Sequence, residues 1–367
     1  MNPSPLRWGI LGTAHIARKN WHALHNSGNG VLVAVASRDR QRAAQFIAEC
    51  KASVPVPVPP RPCGSYEEII DAPDVDALYI PLPTGIRREW VLRAAAAGKH
   101  VVCEKPCAPS SADLRAMTEA CREHGVQFMD GVMFVHGERL KRIRQTLADG
   151  TSVGDIRRIA TQFTFRGDAD FFAHNPRIHA ALEPQGCLGD LGWYSLVFTL
   201  EMMDGRLPES VTGRIHTTWG PDAVPAEFSG ELRYPDGVSS AFYCSFLTEN
   251  QQWASVSGTH GHLHVTDFVL PFAGNETSFE VFQPVFTVNG CQFEMHPHRR
   301  RETLAEPANN APGAQETNLF RHFADQVATG TLNPAWPERA LKTQRLLDAC
   351  LESARNGGRT IAVSPKL

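Results

Sequence analysis

Six apolar-dominated residues, Leu6 to Leu11, open the pattern and read as a buried strand. Gly12 follows, then an amphipathic stretch from Ile16 to Leu24 with helical spacing. The alternation continues: Val31 to Ala36 (strand), Asp76 to Ile80 (strand), Glu89 to Ala97 (helix), a short apolar run ending in Glu104-Lys105-Pro106, Ser111 to His124 (helix), Val126 to Met129 (strand) and Arg139 to Ala148 (helix). Repeated strand–helix units predict an α/β domain, a doubly wound parallel sheet over residues 1–130. The five prolines between Pro55 and Pro62 place a loop there. Beyond about residue 130 the pattern changes. Ile156–Phe165, Ser210–Thr217, Ala226–Tyr234, Val238–Phe246, Trp253–Val256 and Leu263–Thr266 cluster or alternate β-formers between turn residues. They predict an α+β domain over residues 131–367, built on a large, open, mostly antiparallel sheet. One helix is expected from Asp190 to Met203. Two more, Glu316–Ala328 and Pro337–Ala354, close the chain and pack back towards the first domain. Pro297 to Gly313, polar and proline-containing, reads as a surface loop.

Chemistry enters at the strand ends, where α/β sheets bind ligands. Gly12 allows a tight turn, and Ala17 lets the helix pack closely on the strand. The helix start then offers free amides to a pyrophosphate, with Gly12, Thr13, Ala14, His15 and Ile16 as contacts. Ala14 stands where a second glycine is usual. The second strand ends in Ser37-Arg38, with Arg42 one helical turn on. Arginine suits a ribose 2′-phosphate because its planar fork binds phosphate oxygens bidentately. NADP is therefore preferred to NAD, with Asp39 as the counter-signal. Pro83, Thr84 and Glu104 complete the expected cofactor contacts. Lys105 ends the fifth strand run, where its ammonium can serve in proton transfer. Asp190 and Tyr194 are four apart and share a helix face. From the residues alone, the favoured reading is a helix start capped by Asp190 with Tyr194 packed in a core.

These stretches together resemble the glucose–fructose oxidoreductase, inositol dehydrogenase and rhizopine-catabolism (Gfo/Idh/MocA) family. The likeness rests on Gly-x-x-Gly-Thr-Ala-x-Ile-Ala at 9–17, Ala36-Ser37-Arg38, Gly-Lys-His-Val-x-x-Glu-Lys-Pro at 98–106, and Gly189-Asp190-Leu191-Gly192-Trp193-Tyr194. It extends over nearly the whole chain. The nearest branch is that of dimeric dihydrodiol dehydrogenase and sugar 1-dehydrogenases. The resemblance implies a Rossmann domain and reversible hydride transfer between NAD(P) and a hydroxyl carbon of a sugar, polyol or cyclic diol. It makes Lys105 and Tyr194 the catalytic pair, with the lysine lowering the phenol pKa, and Asp190 a substrate ligand. Arg177, on a loop before that helix, is a candidate substrate contact. His136, after the sixth strand, is the next base to consider. One departure stands out: members often carry Pro-Asn-x-x-His where this chain has Pro83-Thr84-Gly85-Ile86-Arg87. Other readings are an NAD-dependent glycoside hydrolase without net cofactor turnover, and a non-catalytic NAD(P) sensor. A homodimer or homotetramer through the second sheet is expected.

Composition agrees with a globular enzyme. The 367 residues allow two cores, and a net charge of −3 favours neither nucleic acid nor a membrane surface as partner. Nine scattered cysteines, an odd number, suggest reduced thiols in the cytoplasm. Cys103 and Cys107, flanking the Lys105 corner, read as buried thiols. The start, Met1-Asn2-Pro3-Ser4-Pro5, carries no basic and apolar leader. His260, His262 and His264 share a strand face without a cysteine or carboxylate pattern, so no metal is expected.

Overall fold

A computed structural model describes residues 4–364; Met1-Asn2-Pro3, part of the start read for a leader, lies outside them. The chain begins β1 (Leu6–Leu11), α1 (His15–Ser27), β2 (Gly30–Ala36), α2 (Arg40–Ser53), β3 (Arg61–Cys63), α3 (Tyr66–Ile70), β4 (Ala77–Ile80), α4 (Thr84–Ala96), β5 (His100–Cys103), α5 (Ser111–Glu123) and β6 (Phe128–Asp130). The strands form one parallel sheet in the order β3-β2-β1-β4-β5-β6. The order reverses between β1 and β4, which creates the crevice where such sheets bind nucleotides. Both faces of the central strands are covered, so they read as continuous apolar runs. Trp8, Ile10 and Leu11 of β1 and all four residues of β4 are buried. Helix α4 starts at Thr84, five residues before the expected Glu89, because Pro83 occupies its N-cap.

The second set of elements is α6 (Glu138–Ala148), β7 (Ile156–Arg166), α7 (Ala169–His174), α8 (Trp193–Met202), β8 (Ser210–Trp219), β9 (Val224–Arg233), β10 (Ser239–Ser245), β11 (Leu247–Gly258), β12 (His262–Val265), β13 (Thr277–Phe282), β14 (Val285–Asn289), β15 (Gln292–His296) and β16 (Arg299–Leu304). The chain closes with α9 (Gln315–Ala328), α10 (Ala335–Arg355) and β17 (Ile361–Ala362). Nine strands build one sheet, β16-β13-β12-β11-β7-β10-β9-β8-β17, antiparallel except for β7 beside β10. The apolar helix α8 packs on β7 and β10. Arg139 and Asp267, both buried, pair at 2.5 Å in the same unit.

The Pro297–Gly313 stretch is corrected by the structure. Its first half is the edge strand β16, paired residue by residue with β13 from Thr277↔Leu304 to Phe282↔Arg299. It lacks the apolar alternation that marks a strand because most of its side chains are exposed. The chain divides into two compact units. One holds residues up to His136, with His179–Pro184 and Asn309–Arg345; the other holds Gly137–Ile178, Gln185–Ala308 and the chain from Leu346 on. This differs from a single cut after residue 130. Phe320 and Phe323 of α9 pack their rings on Trp8, at 5.4 and 5.3 Å between centroids, so that helix belongs with the parallel sheet. Among the described residues no helix is long and apolar enough to cross a membrane. All nine cysteines are free, and Cys291 alone is exposed.

Candidate active site

Within the first unit, Gly12 ends β1 with φ +117°, a conformation that favours glycine. A Cβ there would lie 2.8 Å from Leu82 Cδ2. The next helix, α1, has Ala14 as N-cap with no side-chain cap and no acidic residue in its first turn. Its amides are thus left to a ligand, and nothing nearby in that turn repels an anion. Thr13 and Ala14 are partly exposed, His15 and Ile16 exposed. Ser37 is buried at the tip of β2, with Arg38 and Arg42 exposed beyond it. Both arginines act electrostatically on Tyr66: burial pushes its phenol up, and their charges pull it back. The structure therefore brings Arg38 and Arg42 to one place. Asp39 has a local task instead. Its carboxylate caps α2, accepting from Gln41 N at 2.8 Å.

The corner after β5 is held from inside. Glu104 is buried; its Oε1 accepts from Tyr79 Oη at 2.6 Å and Asn20 Nδ2 at 3.4 Å, and its Oε2 from Lys105 N at 3.2 Å. Burial and the Glu104 charge push the Tyr79 phenol well above its ordinary range, so it stays a neutral donor. Arg87 is buried as well. Its guanidinium donates to the carbonyls of Leu82, Glu104 and Pro106, the last two flanking Lys105. Lys105 itself is partly exposed. Thr84 is enclosed: its N and Oγ1 donate to Glu183 at 3.1 and 2.6 Å. Gly85 admits the 179–184 segment, since a Cβ there would stand 2.0 Å from Ala181 O.

In the second unit, Asp190 lies in a π-helical turn, Leu188–Gly192, that runs into α8. Such wide turns occur often at functional sites. The Asp190 carboxylate pairs with Arg177 Nε at 2.7 Å, so the two expected substrate contacts are brought together. The N-cap positions of the π-helical turn and of α8 are Cys187 and Gly192, not Asp190. Tyr194 is buried, edge-on to Phe163 at 5.6 Å.

His136 is enclosed in the first unit. Its Nδ1 stands 3.1 Å from Nδ1 of His322, one donating and the other accepting, and its ring meets Trp336. Burial, then the Arg339 and His322 charges, push its pKa well below 6.5. The folded state keeps this imidazole neutral, while the unfolded chain takes up a proton near pH 6.5. The stability it contributes is therefore complete above that pH and is lost as pH falls below it. Thermal melts from about pH 7 to 5 should show a steeper acid loss for the wild type than for His136→Phe. Equal slopes would remove this imidazole from the acid response.

A family model described as oxidoreductase family, NAD-binding Rossmann fold, matches residues 6–132. A GFO/IDH/MocA C-terminal domain model matches residues 140–264. The chain belongs to the GFO/IDH/MocA family. It is 33% identical over 270 residues to trans-1,2-dihydrobenzene-1,2-diol dehydrogenase of Mus musculus, covering 72% of this chain and 76% of that protein. It is 28% identical over 359 residues to D-xylose 1-dehydrogenase (NADP(+)) 2 of Haloferax volcanii, covering 96% and 98%. A solved 3-ketoreductase from Actinomadura kijaniata, in complex with NADP and TDP-benzene, shares the fold with a TM-score of 0.79 and 24% identity, over 95% of this chain and 98% of that one. As a GFO/IDH/MocA member the protein is an NAD(P)-dependent oxidoreductase. The Gly12 turn, the uncapped α1 start and the paired Arg38 and Arg42 fit such a dinucleotide. Sequence reasoning missed Tyr66, Tyr79, Asn20, Glu183 and Arg87. Only Arg87 carried a signal, as the arginine where GFO/IDH/MocA members often have histidine.

Proposed function

We propose that the protein oxidises a hydroxyl carbon of a sugar, polyol or cyclic diol, reversibly and with NADP preferred. The observation that carries this reading is the Lys105 corner, fixed by Arg87 and Tyr79 at the end of a strand in a dinucleotide-binding sheet. When bound, the nicotinamide supplies the hydride acceptor. Gly12 to Ile16 hold the pyrophosphate, Arg38 and Arg42 the 2′-phosphate, and Ser37, Pro83 and Glu104 line the rest of the nucleotide path, with the enclosed Thr84 behind them on Glu183. Tyr194 takes the hydroxyl proton as the hydride leaves, and the Lys105 ammonium stabilises its phenolate. Asp190, oriented by Arg177, accepts a neighbouring substrate hydroxyl. Relatives that act on diols and sugars support this reaction over the hydrolase and sensor readings. Buried, unpaired thiols suit a cytoplasmic enzyme, and we read it as a homodimer or homotetramer through the second sheet.

A screen of sugars, polyols and dihydrodiols, following reduction of NAD and NADP, tests the reaction. No reduction with any of them overturns it. In the same assay Arg38→Ala should raise the KM for NADP roughly tenfold or more while leaving that for NAD nearly unchanged, since a charge-assisted bond is worth about 1.5–3 kcal/mol. A wild type that binds NAD at least as tightly as NADP overturns the 2′-phosphate assignment.

A further inference from the structure

Strands β14 and β15 form a two-stranded ribbon of their own, inserted between β13 and the edge strand β16 with which β13 pairs. All ten residues of the ribbon strands are exposed. Its register pairs Phe286 with Met295 and Val288 with Phe293, so these four side chains share one face. The other face carries Thr287, Glu294, Asn289 and Gln292, with Val285 beside His296. One face is wholly apolar, and the other is polar apart from Val285. Yet the apolar face lies in water, with Phe286 56%, Val288 57%, Phe293 67% and Met295 64% exposed. The two phenylalanine rings lie against each other, 5.9 Å apart. A lone two-stranded ribbon is marginal in water, and a patterned apolar face that nothing covers marks a contact surface.

We propose that this ribbon is a dimerisation arm whose apolar face packs on the same face of a second copy of the chain. A two-fold contact lays a surface on itself, so any charge on it would meet its like. This face has none; Glu294 and His296 lie on the opposite side. With its four side chains 56–67% exposed, the face presents roughly 450 Å² per chain. Two such faces together bury about 900 Å², close to the size of a small specific interface. The neighbouring arginines do not make the arm a membrane anchor: Arg299 pairs with Glu280 at 3.5 Å and Arg300 with Glu302 at 3.2 Å. The proposal deepens the oligomer reading above and is independent of the reaction.

Sedimentation velocity of the full chain over a range of concentrations tests it. The wild type should sediment as a dimer or larger assembly. Phe286→Ser/Phe293→Ser should weaken the association about a hundredfold or more, the scale of two central aromatic anchors, with far-UV circular dichroism and NADP affinity retained. Thr287→Ala, on the polar face, should leave the association intact. Cys291 at the ribbon tip, the single exposed cysteine, supplies a check on the unaltered protein. A flexible bis-maleimide should join two wild-type chains and fail with Cys291→Ser. An assembly that survives the double substitution overturns the arm but leaves the oligomer reading standing. A wild type that is monomeric throughout overturns both. Wild-type protein that floats with anionic vesicles while remaining monomeric replaces the second copy with a lipid surface.

Discussion

Lys105→Ala and Tyr194→Phe should each lower kcat about a hundredfold or more, the usual scale for a general acid or base. Tyr194→Phe keeps the ring that lies edge-on to Phe163 and removes only the hydroxyl, so the unit should fold unchanged. Lys105→Ala removes the charge while Glu104 keeps its bonds to Tyr79 and Asn20. The double variant should be little slower than either single one, because groups that act in one proton transfer are not additive. NADP affinity should persist in Tyr194→Phe, since the phenol is assigned to substrate. The measurement is steady-state turnover with the best substrate from the screen, paired with cofactor titration. A Tyr194→Phe enzyme with most of its turnover removes the tyrosine from the mechanism. His136 does not then inherit the role, because it is enclosed against His322 and Trp336; Lys105 alone becomes the acid and base.

Arg87→Ala should strongly destabilise the first unit. It leaves the carbonyls of Leu82 and Glu104 without their N–H donor in a buried place, and Pro106 O with Thr84 Oγ1 alone at 3.2 Å. Each such orphan costs about 1–3 kcal/mol, so the loss should reach about 3 kcal/mol or more. For a chain of this size that lowers the Tm by roughly 6 °C or more. Turnover should fall with it, because the carbonyls on both sides of Lys105 set the direction of that side chain. Arg87→Lys supplies donors without the planar fork and should fall between the two. Added guanidine should restore part of the alanine variant's turnover. Thermal melts and kcat decide the matter: an Arg87→Ala protein that melts and turns over like the wild type shows that the corner stands without its clamp.

The parallel sheet was legible because strands buried on both faces are written as apolar runs, and β1, β2, β4 and β5 are such runs. The strongest local devices were equally plain: Gly12 at a positive φ, an uncapped helix start, a lysine just past a strand. Strands that lie in water left no such trace. The ribbon β14–β15 does alternate, but over only five residues a strand, while the edge strand β16 is almost wholly polar, and Pro297 with its polar neighbours read as a loop. Asp39 was ambiguous as a ribose ligand until its carboxylate was seen capping α2, since one sequence position fits both tasks.

What the sequence determined by itself is the family, the order of elements, the nucleotide turn and the candidate proton-transfer residues. Those depend on local periodicity and short motifs, which act over a few residues. What only the tertiary structure decided is how distant positions meet. Arg177 finds Asp190, Tyr79 and Asn20 hold Glu104, and Arg87 reaches three carbonyls from separate segments. Segment 309–345 returns to the first sheet because Trp8 needs the rings of Phe320 and Phe323. Buried polar groups must be satisfied by whatever the fold brings near them, and no pattern along the chain names those partners in advance.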